Sequence, residues 1–308
     1  MSFTSTVKNE VSKLELLDVE KISELSAIIL CGKEISDTLK IVTENASVAR
    51  LVFSLVKDLY KVTPVITLRK GYNYQKNALY ILQIKNKQEY ILSDLGLLEN
   101  NKLLNIPKEY IVDAMDSKRA YLRGVFLMTG SINDPKKSRY HLEFLFNDKE
   151  YATFIMNLLN EYNLNSKVLK RENKYMVYIK EAEKIGDFLR IIQAYNAVLY
   201  YEDIRIYRDH KNMTNRLNNC EQANVDRIIE TSNSQVNDIE LIIEKVGLDL
   251  LDEKERVVAE YRLKYKDASL LELSEIISLE TDKPITKSGL YHRFKKISDL
   301  ANKIRKNI

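Results

Sequence analysis

Side chains able to recognise nucleic acid are concentrated near the end of the chain, between residues 286 and 296. They carry hydroxyl, phenol, imidazole and cationic groups: Thr286, Lys287, Ser288, Tyr291, His292, Arg293, Lys295 and Lys296. Lysine and arginine suit phosphate oxygens, whereas Ser288, Tyr291 and His292 could reach the edges of bases. The stretch therefore indicates a surface that contacts DNA, provided that the surrounding elements place these side chains on one face.

The distribution of charge favours the same stretch. The 308 residues carry a net charge of +4, but residues 221–281 hold 15 acidic and 7 basic residues. Residues 282–308 hold 8 basic residues against 2 acidic ones. A basic segment of this kind attracts polyanions, although it can equally be a solvated face with no partner.

The apolar pattern around this stretch predicts three short helices, at 252–267, 269–279 and 285–304. In the third helix Leu290, Phe294 and Ile297 step by three and four residues, which predicts a buried stripe opposite the polar face. Thr286 is a good N-cap for it. The pattern is that of a helix-turn-helix, whose recognition helix enters the major groove. A three-helix interaction domain with a solvated basic face is the alternative.

A second stretch with chemical potential is residues 121–130, which read YLRGVFLMTG. It resembles the motif helix of the LAGLIDADG homing endonucleases at these positions: Leu122, Gly124, Phe126 and Gly130. Those nucleases carry a metal-binding acid just before the final glycine, because phosphodiester hydrolysis needs carboxylates that hold Mg²⁺. Thr129 stands at that position here, so this helix offers no metal ligand.

No other residues of the sequence replace the missing acid. The earlier apolar helix ends with Cys31 and Gly32, and Glu34 lies beyond them, out of register. The three histidines, at 141, 210 and 292, and the second cysteine, at 220, have no ligand spacing. We therefore expect no metal, no cofactor and no catalytic residue, and hence a protein that is not an enzyme.

The order of elements is repeated along the first two thirds of the chain, with matching elements about 100 residues apart. The first copy has a helix at 24–36, a strand at 38–45, a helix at 46–60, strands at 62–70 and 78–86, and a helix near 89–98. The second has a helix at 121–132, a strand at 140–148, a helix at 149–162, strands at 165–173 and 174–182, and a helix at 184–195. Ala27 and Gly32 in the first helix, with Gly124 and Gly130 in the second, could allow close packing. The repeat fits the LAGLIDADG architecture; buried helices of an unrelated α/β fold are the alternative.

A polar, asparagine-rich connector, residues 201–229, separates the repeat from the C-terminal helices. Its cationic residues Arg205, Arg208, Lys211 and Arg216 have a composition suited to phosphate contacts. The asparagines around them equally suit the caps and turns of a structural linker, so both interpretations stay open.

Three segments, residues 123–143, 201–229 and 285–297, resemble the WhiA family of bacterial regulators of sporulation and cell division. The resemblance implies a degenerate LAGLIDADG domain without catalysis, joined to a helix-turn-helix that binds promoter DNA. It also implies a cytoplasmic, nucleoid-associated protein that acts on genes of cell division, chromosome segregation or sporulation.

We therefore predict an α+β fold, a duplicated LAGLIDADG homing-endonuclease-like domain followed by an all-α helix-turn-helix domain. The domains would be 1–220, with repeats at about 20–104 and 118–200, a helical linker at 221–251, and the helix-turn-helix at 252–308. The predicted function is sequence-specific transcription regulation on double-stranded DNA, with a partner transcription regulator as a further possibility and no membrane partner. An endonuclease with an unrecognised metal site is one alternative. A protein-interaction platform that binds DNA only through its C-terminal tail is the other.

Overall fold

The first 208 residues contain the same arrangement of helices and strands twice. The structure is a computed structural model that describes residues 2–35, 38–70, 78–137 and 139–306. After α1 (Phe3–Val11), the first copy comprises α2 (Asp18–Gly32), β1 (Lys33–Ile35), β2 (Leu39–Thr43), α3 (Ala46–Tyr60), β3 (Val65–Lys70), β4 (Ala78–Ile84) and α4 (Gln88–Asp94). A ribbon of β5 (Leu98–Glu99) and β6 (Lys102–Leu103) precedes the second copy, which comprises α5 (Met115–Thr129), β7 (Gly130–Ile132), β8 (Leu142–Phe146), α6 (Lys149–Asn160), β9 (Lys167–Arg171), β10 (Lys174–Ile179) and α7 (Ala182–Ile191).

The two copies also agree in the order of their strands. The sheets run β1-β2-β4-β3 and β7-β8-β10-β9, and every neighbouring pair is antiparallel. In β8, Leu142, Phe144 and Phe146 are buried while the residues between them are half-buried, as strand alternation requires. Helices α2 and α5 pack against each other within one continuous core. The predicted duplicated α+β fold is therefore confirmed.

The ends of the two motif helices, α2 and α5, were predicted wrongly. The sequence places them at 24–36 and 121–132, whereas they end at Gly32 and Thr129 and start six residues earlier. The residues that follow form short strands, because their backbones pair with β2 and β8. An apolar pattern cannot reveal that partner strand. Ser36, the last residue of the predicted first helix, lies outside the described residues.

The connector predicted at 201–229, including His210, is also helical. It belongs to α8 (Tyr195–Lys245), a single helix of 51 residues. Residues 195–245 contain no glycine or proline, so nothing breaks the helix. Its middle part carries mostly exposed polar side chains, which conceals the helical period from a search for an apolar stripe.

The last hundred residues, 209–308, form the second compact unit. Within it the end of α8 packs with α9 (Glu253–Lys264), α10 (Leu270–Thr281) and α11 (Lys287–Lys306). The three predicted helices are thus present, with ends that differ by up to three residues. Ile239 and Ile242 of α8 share a core with Leu273 and Phe294. The domain boundaries predicted at 220 and 252 stay predictions.

No helix in the described part of the chain combines the length and the apolar character needed to cross a membrane.

Candidate nucleic-acid interface

Helix α11 has the two faces that the sequence predicts. Leu290, Phe294, Ile297 and Ala301 are buried along one side, where they contact α9 and α10. Burial of this stripe fixes the rotation of the helix, so its other side must face outward. The orientation of α11 thus follows from its apolar spacing alone.

All eight side chains predicted as a binding surface lie at the first three turns of α11. Arg293 is half-buried, and the other seven are exposed: Thr286, Lys287, Ser288, Tyr291, His292, Lys295 and Lys296. The rings of Tyr291 and His292 meet edge to face, with centroids 5.8 Å apart. The structure therefore brings hydroxyl, imidazole and cationic groups together on one helix, within reach of a single ligand.

Two of these cations also contact an earlier helix of the same unit, α9. Lys296 Nζ lies 3.1 Å from a carboxylate oxygen of Glu255, which is largely buried. Arg293 Nη1 lies 3.5 Å from the carbonyl oxygen of Lys254. An intramolecular carboxylate competes with phosphate for the lysine, so Lys296 would be a weaker phosphate contact than an unpaired lysine.

The start of α11 is held by a defined turn rather than a loose connector. Asp282 has a left-handed backbone, with φ of 50°, and ends α10. Ser278 Oγ then accepts a hydrogen bond from the backbone N–H of Ile285 at 3.0 Å. Thr286 Oγ1 accepts one from the N–H of Gly289 at 3.2 Å, which confirms its predicted capping role. These bonds preorganise the N-terminal residues that a recognition helix would present to bases.

The four cationic residues predicted from the 201–229 stretch do not form one cluster. Arg205 Nε donates to Glu202 at 2.6 Å. Arg208 Nη1 donates to the carbonyl oxygens of residues 135 and 137, at 2.8 and 2.6 Å, and its guanidinium lies over the ring of Tyr140. Both arginines belong to the unit 1–208; Arg205 bonds within α8, whereas Arg208 holds α8 to the segment before β8.

The other two cationic residues of this stretch, Lys211 and Arg216, are exposed on the part of α8 that belongs to the second unit. Their side chains are therefore accessible to a polyanion, in contrast to the two arginines that precede them on the same helix.

Close packing of the two motif helices depends on Gly124, as predicted. A Cβ at this position would lie 2.5 Å from the carbonyl oxygen of Glu24 and 2.8 Å from the Cβ of Ala27. Real side chains do not tolerate such distances, so only glycine allows α5 to approach the backbone of α2. Ala27 is the small residue that faces it across the interface.

The last residues of the two motif helices, Gly32 and Thr129, carry no carboxylate. Each helix has 15 residues and is followed at once by a strand, so Gly32 stands where the other copy has Thr129. The hydroxyl of Thr129 donates back to the carbonyl oxygen of Val125 at 3.0 Å. No group of three or more histidine, cysteine, aspartate or glutamate residues that could hold a metal is found among the described residues.

Helix α1 packs beside these ends and adds a cation. Thr4 Oγ1 bridges both backbone groups of Ile132, at 2.9 and 3.0 Å. Lys8 Nζ lies 5.7 Å from the ring centroid of Phe126, and burial lowers the pKa of Lys8 to about 8. A lysine at this place would repel a divalent metal ion rather than bind it.

Sequence reasoning missed a buried ionic cluster between the motif helices. Arg123 of α5 donates through Nε to Glu24 of α2 at 2.7 Å and through Nη1 to Gln193 at 3.0 Å. Arg123 and Glu24 are fully buried, and Oε1 of Glu20 lies 3.7 Å from Nη2 of Arg123. Burial raises the pKa of Glu24 to about 7, while Arg123 opposes that shift. An arginine within the apolar stretch 120–128 was the signal in the sequence, but the sequence does not show which residue it pairs with.

Comparison with known proteins agrees with this architecture throughout the chain. Family models described as the WhiA N-terminal LAGLIDADG-like domain, the WhiA LAGLIDADG-like domain and the WhiA C-terminal HTH domain match residues 19–98, 118–211 and 214–301. Curated relatives named "Probable cell division protein WhiA", from Bacillus cytotoxicus and Bacillus cereus, are 42% identical over 99% of this chain and 98% of their own lengths.

Solved structures give the same result for the fold. Full-length DUF199/WhiA from Thermatoga maritima aligns with a TM-score of 0.60 and 25% identity, over 98% of this chain and 99% of that one. The N-terminal LAGLIDADG domain of DUF199/WhiA aligns with a TM-score of 0.50 and 20% identity, over 62% and 92%. The fold is thus LAGLIDADG-like with a C-terminal helix-turn-helix domain, and the chain belongs to the WhiA family.

Proposed function

We propose that the chain is a non-catalytic transcription regulator that binds specific sites in double-stranded DNA. The observation that carries the proposal is the outward face of α11, where polar and cationic side chains surround the capped start of the helix. A helix-turn-helix reads bases with the N-terminal residues of its second helix. Membership of a family with an HTH domain supports the same conclusion.

Within this face the side chains divide by chemistry. Ser288, Tyr291 and His292 have donors and acceptors suited to base edges, so we assign sequence preference to them. Lys287 and Lys295 are assigned to phosphates, with Thr286 at the helix start. Arg293 and Lys296 are secondary phosphate contacts because α9 engages both.

The biological role is proposed from the relatives. Their names describe a probable cell division protein, and the family resemblance points to genes of cell division, chromosome segregation or sporulation. We propose that this chain acts on such genes in the cytoplasm, in association with the nucleoid, alone or with a partner transcription regulator. Both motif helices end without an acid, which supports a non-catalytic role.

The proposal can be tested with the full-length protein and fluorescein-labelled duplex DNA. Fluorescence anisotropy at several salt concentrations should give an affinity that falls linearly on logarithmic axes as salt rises. Fragments recovered by genome-wide crosslinking should bind more tightly than shuffled fragments of equal length. Replacement of His292 by alanine should reduce that preference more than it reduces the affinity for shuffled DNA. Equal affinity for recovered and shuffled fragments would contradict a sequence-specific regulator.

Cleavage is tested in the same preparation. Supercoiled plasmid incubated with Mg²⁺ or Mn²⁺ should stay intact. Nicking that disappears on changing Thr129 or Gly32 would instead establish the nuclease alternative.

A further inference from the structure

A cavity of about 360 Å³ lies beside the start of α11, within the second unit. Four helices contribute to its walls, and three of its lining residues are cationic: Arg227 from α8, Arg262 from α9 and Lys287 from α11. None of the described residues that line it is acidic. The cavity therefore has the charge required of an anion site, in a unit whose acidic residues otherwise outnumber its basic ones up to residue 281.

The first turn of α10 forms another part of the wall. Ser269, Leu270 and Leu271 line the cavity at the N-terminus of this twelve-residue helix. Ser269 and Glu272 satisfy each other's backbone N–H groups in a capping box, but the N–H groups of the first turn otherwise have no partner inside the helix. Such N–H groups and the helix dipole favour an anion.

Arg262 is the buried cation among the residues that line the cavity. Its side chain is 1% exposed, and Nη1 is held by the carbonyl oxygen of Ala268 at 2.6 Å. Its Nε donor is buried without any hydrogen-bond partner among the described residues. The guanidinium also lies over the ring of Phe294, with Cζ 5.4 Å from the ring centroid, so Arg262 adds a buried positive charge to the wall of the cavity.

We infer that this cavity binds a phosphate group of the DNA backbone, with Arg227 as a contact outside the recognition helix. The inference rests on the proposed function, since Lys287 belongs to both surfaces. A phosphate held between Arg227 and Lys287 would lie at the start of the recognition helix, where backbone contacts set its register on the duplex. The long helix α8 would thereby take part in DNA binding rather than serve only as a connection.

The test compares two exposed residues of α8 in the full-length protein. Arg227→Gln removes a cation from the cavity, whereas Lys245→Gln removes one at the far end of the same helix. Arg227→Gln should weaken binding to duplex DNA about threefold to tenfold near 0.1 M salt and lower the salt slope by about one, as expected for one lost phosphate contact. Lys245→Gln should leave both quantities at the parent values.

The outcomes separate this inference from the proposed function. If the parent binds DNA and Arg227→Gln has the same affinity and slope as Lys245→Gln, the phosphate site is refuted while the regulator survives. If the parent shows no salt-dependent binding, both fail. Thermal unfolding with inorganic phosphate distinguishes the source of the anion. Stabilisation by phosphate that is lost in Arg227→Gln, with unchanged DNA affinity, would assign the cavity to a free anion and overturn the DNA contact.

Discussion

Charged side chains are buried and paired between the motif helices α2 and α5, but they are exposed on the C-terminal helix α11. Between α2 and α5, Arg123 and Glu24 are fully buried and bond to each other. On α11, Lys287 and Lys295 are exposed on the face away from the core. A charge that is paired inside a core specifies how two helices pack, whereas an exposed charge is available to a partner. The first region therefore has a structural role, and the second is the one that we propose for recognition.

The buried ion pair gives the largest expected effect. Arg123→Met leaves Glu24 without its partner in the core, and we expect the free energy of unfolding to fall by about 3–5 kcal/mol at pH 8. Calorimetry should show the loss in the transition of the unit 1–208. The double variant Arg123→Met with Glu24→Leu should recover most of it, because no buried charge is then left unpaired.

An exposed ion pair in the same unit serves as the control. Lys118 lies 2.6 Å from Glu161, and more than half of that glutamate side chain is exposed. Lys118→Met should therefore cost less than about 1 kcal/mol. Equal losses in the Lys118 and Arg123 variants would show that burial does not distinguish the two pairs.

The same cluster predicts an unusual dependence of stability on pH. The pKa of Glu24 is raised from its ordinary value of 4.5 to about 7 in the folded protein. Between these values the folded state holds a proton that the unfolded state has released, so this group's contribution falls as pH rises. This contribution is fully present below pH 4.5 and is lost as pH rises through about 7. The free energy of unfolding should thereby fall by roughly 3 kcal/mol.

Glu24→Gln isolates that contribution because glutamine does not ionise. Chemical unfolding of both proteins from pH 4.5 to 8 should show the variant gaining on the parent by this amount as pH rises. Parallel curves across the range would mean that Arg123 keeps Glu24 ionised throughout.

Two glycines, one in each region, differ in how much space surrounds them. A methyl group at Gly124 would clash with the backbone of Glu24, so Gly124→Ala should destabilise the first unit by about 1–3 kcal/mol. At Gly289 in α11 the nearest atom to an added Cβ is 3.4 Å away. Gly289→Ala should therefore stabilise the second unit by about 0.5–1 kcal/mol, since alanine favours a helix. Thermal unfolding of each variant measures these two changes in stability. Destabilisation by Gly289→Ala would indicate that the added methyl group clashes with a neighbouring atom of α11.

The sequence predicted correctly those features that depend on residues close together in the chain. The helix predicted at 46–60 is Ala46–Tyr60, because its apolar stripe lies within those residues and its caps, Asn45 and Lys61, flank them directly. The buried stripe of α11 and its N-cap, Thr286, were correct for the same reason. The duplication was visible because each copy repeats these local signals in the same order.

The remaining features depend on partners far away in the sequence. Arg123 and Glu24 are 99 residues apart, and the early ends of α2 and α5 depend on pairing with β2 and β8. Arg208 was predicted to contact phosphate, yet its partners are carbonyl groups about 70 residues earlier. Residue type shows that a cation needs a partner, but only the fold decides whether the partner is internal.

The smallest expected effect concerns the cationic residues of α8, some of which have internal partners while others are exposed. Arg208 is bonded within the first unit, whereas Arg216 is exposed in the second. Arg208→Gln should lower the stability of the first unit by about 1 kcal/mol, through the loss of two charged hydrogen bonds. Its DNA affinity should stay at the parent value.

Arg216→Gln should do the reverse. Its stability should stay within about 0.5 kcal/mol of the parent, as for most surface changes. The salt slope of DNA binding should fall by about one, because one phosphate contact is lost. Thermal unfolding and anisotropy on the same two preparations provide both measurements. A fall in the salt slope for Arg208→Gln instead would mean that DNA displaces the carbonyl groups from that arginine, and the division of α8 into a structural half and a binding half would then be wrong.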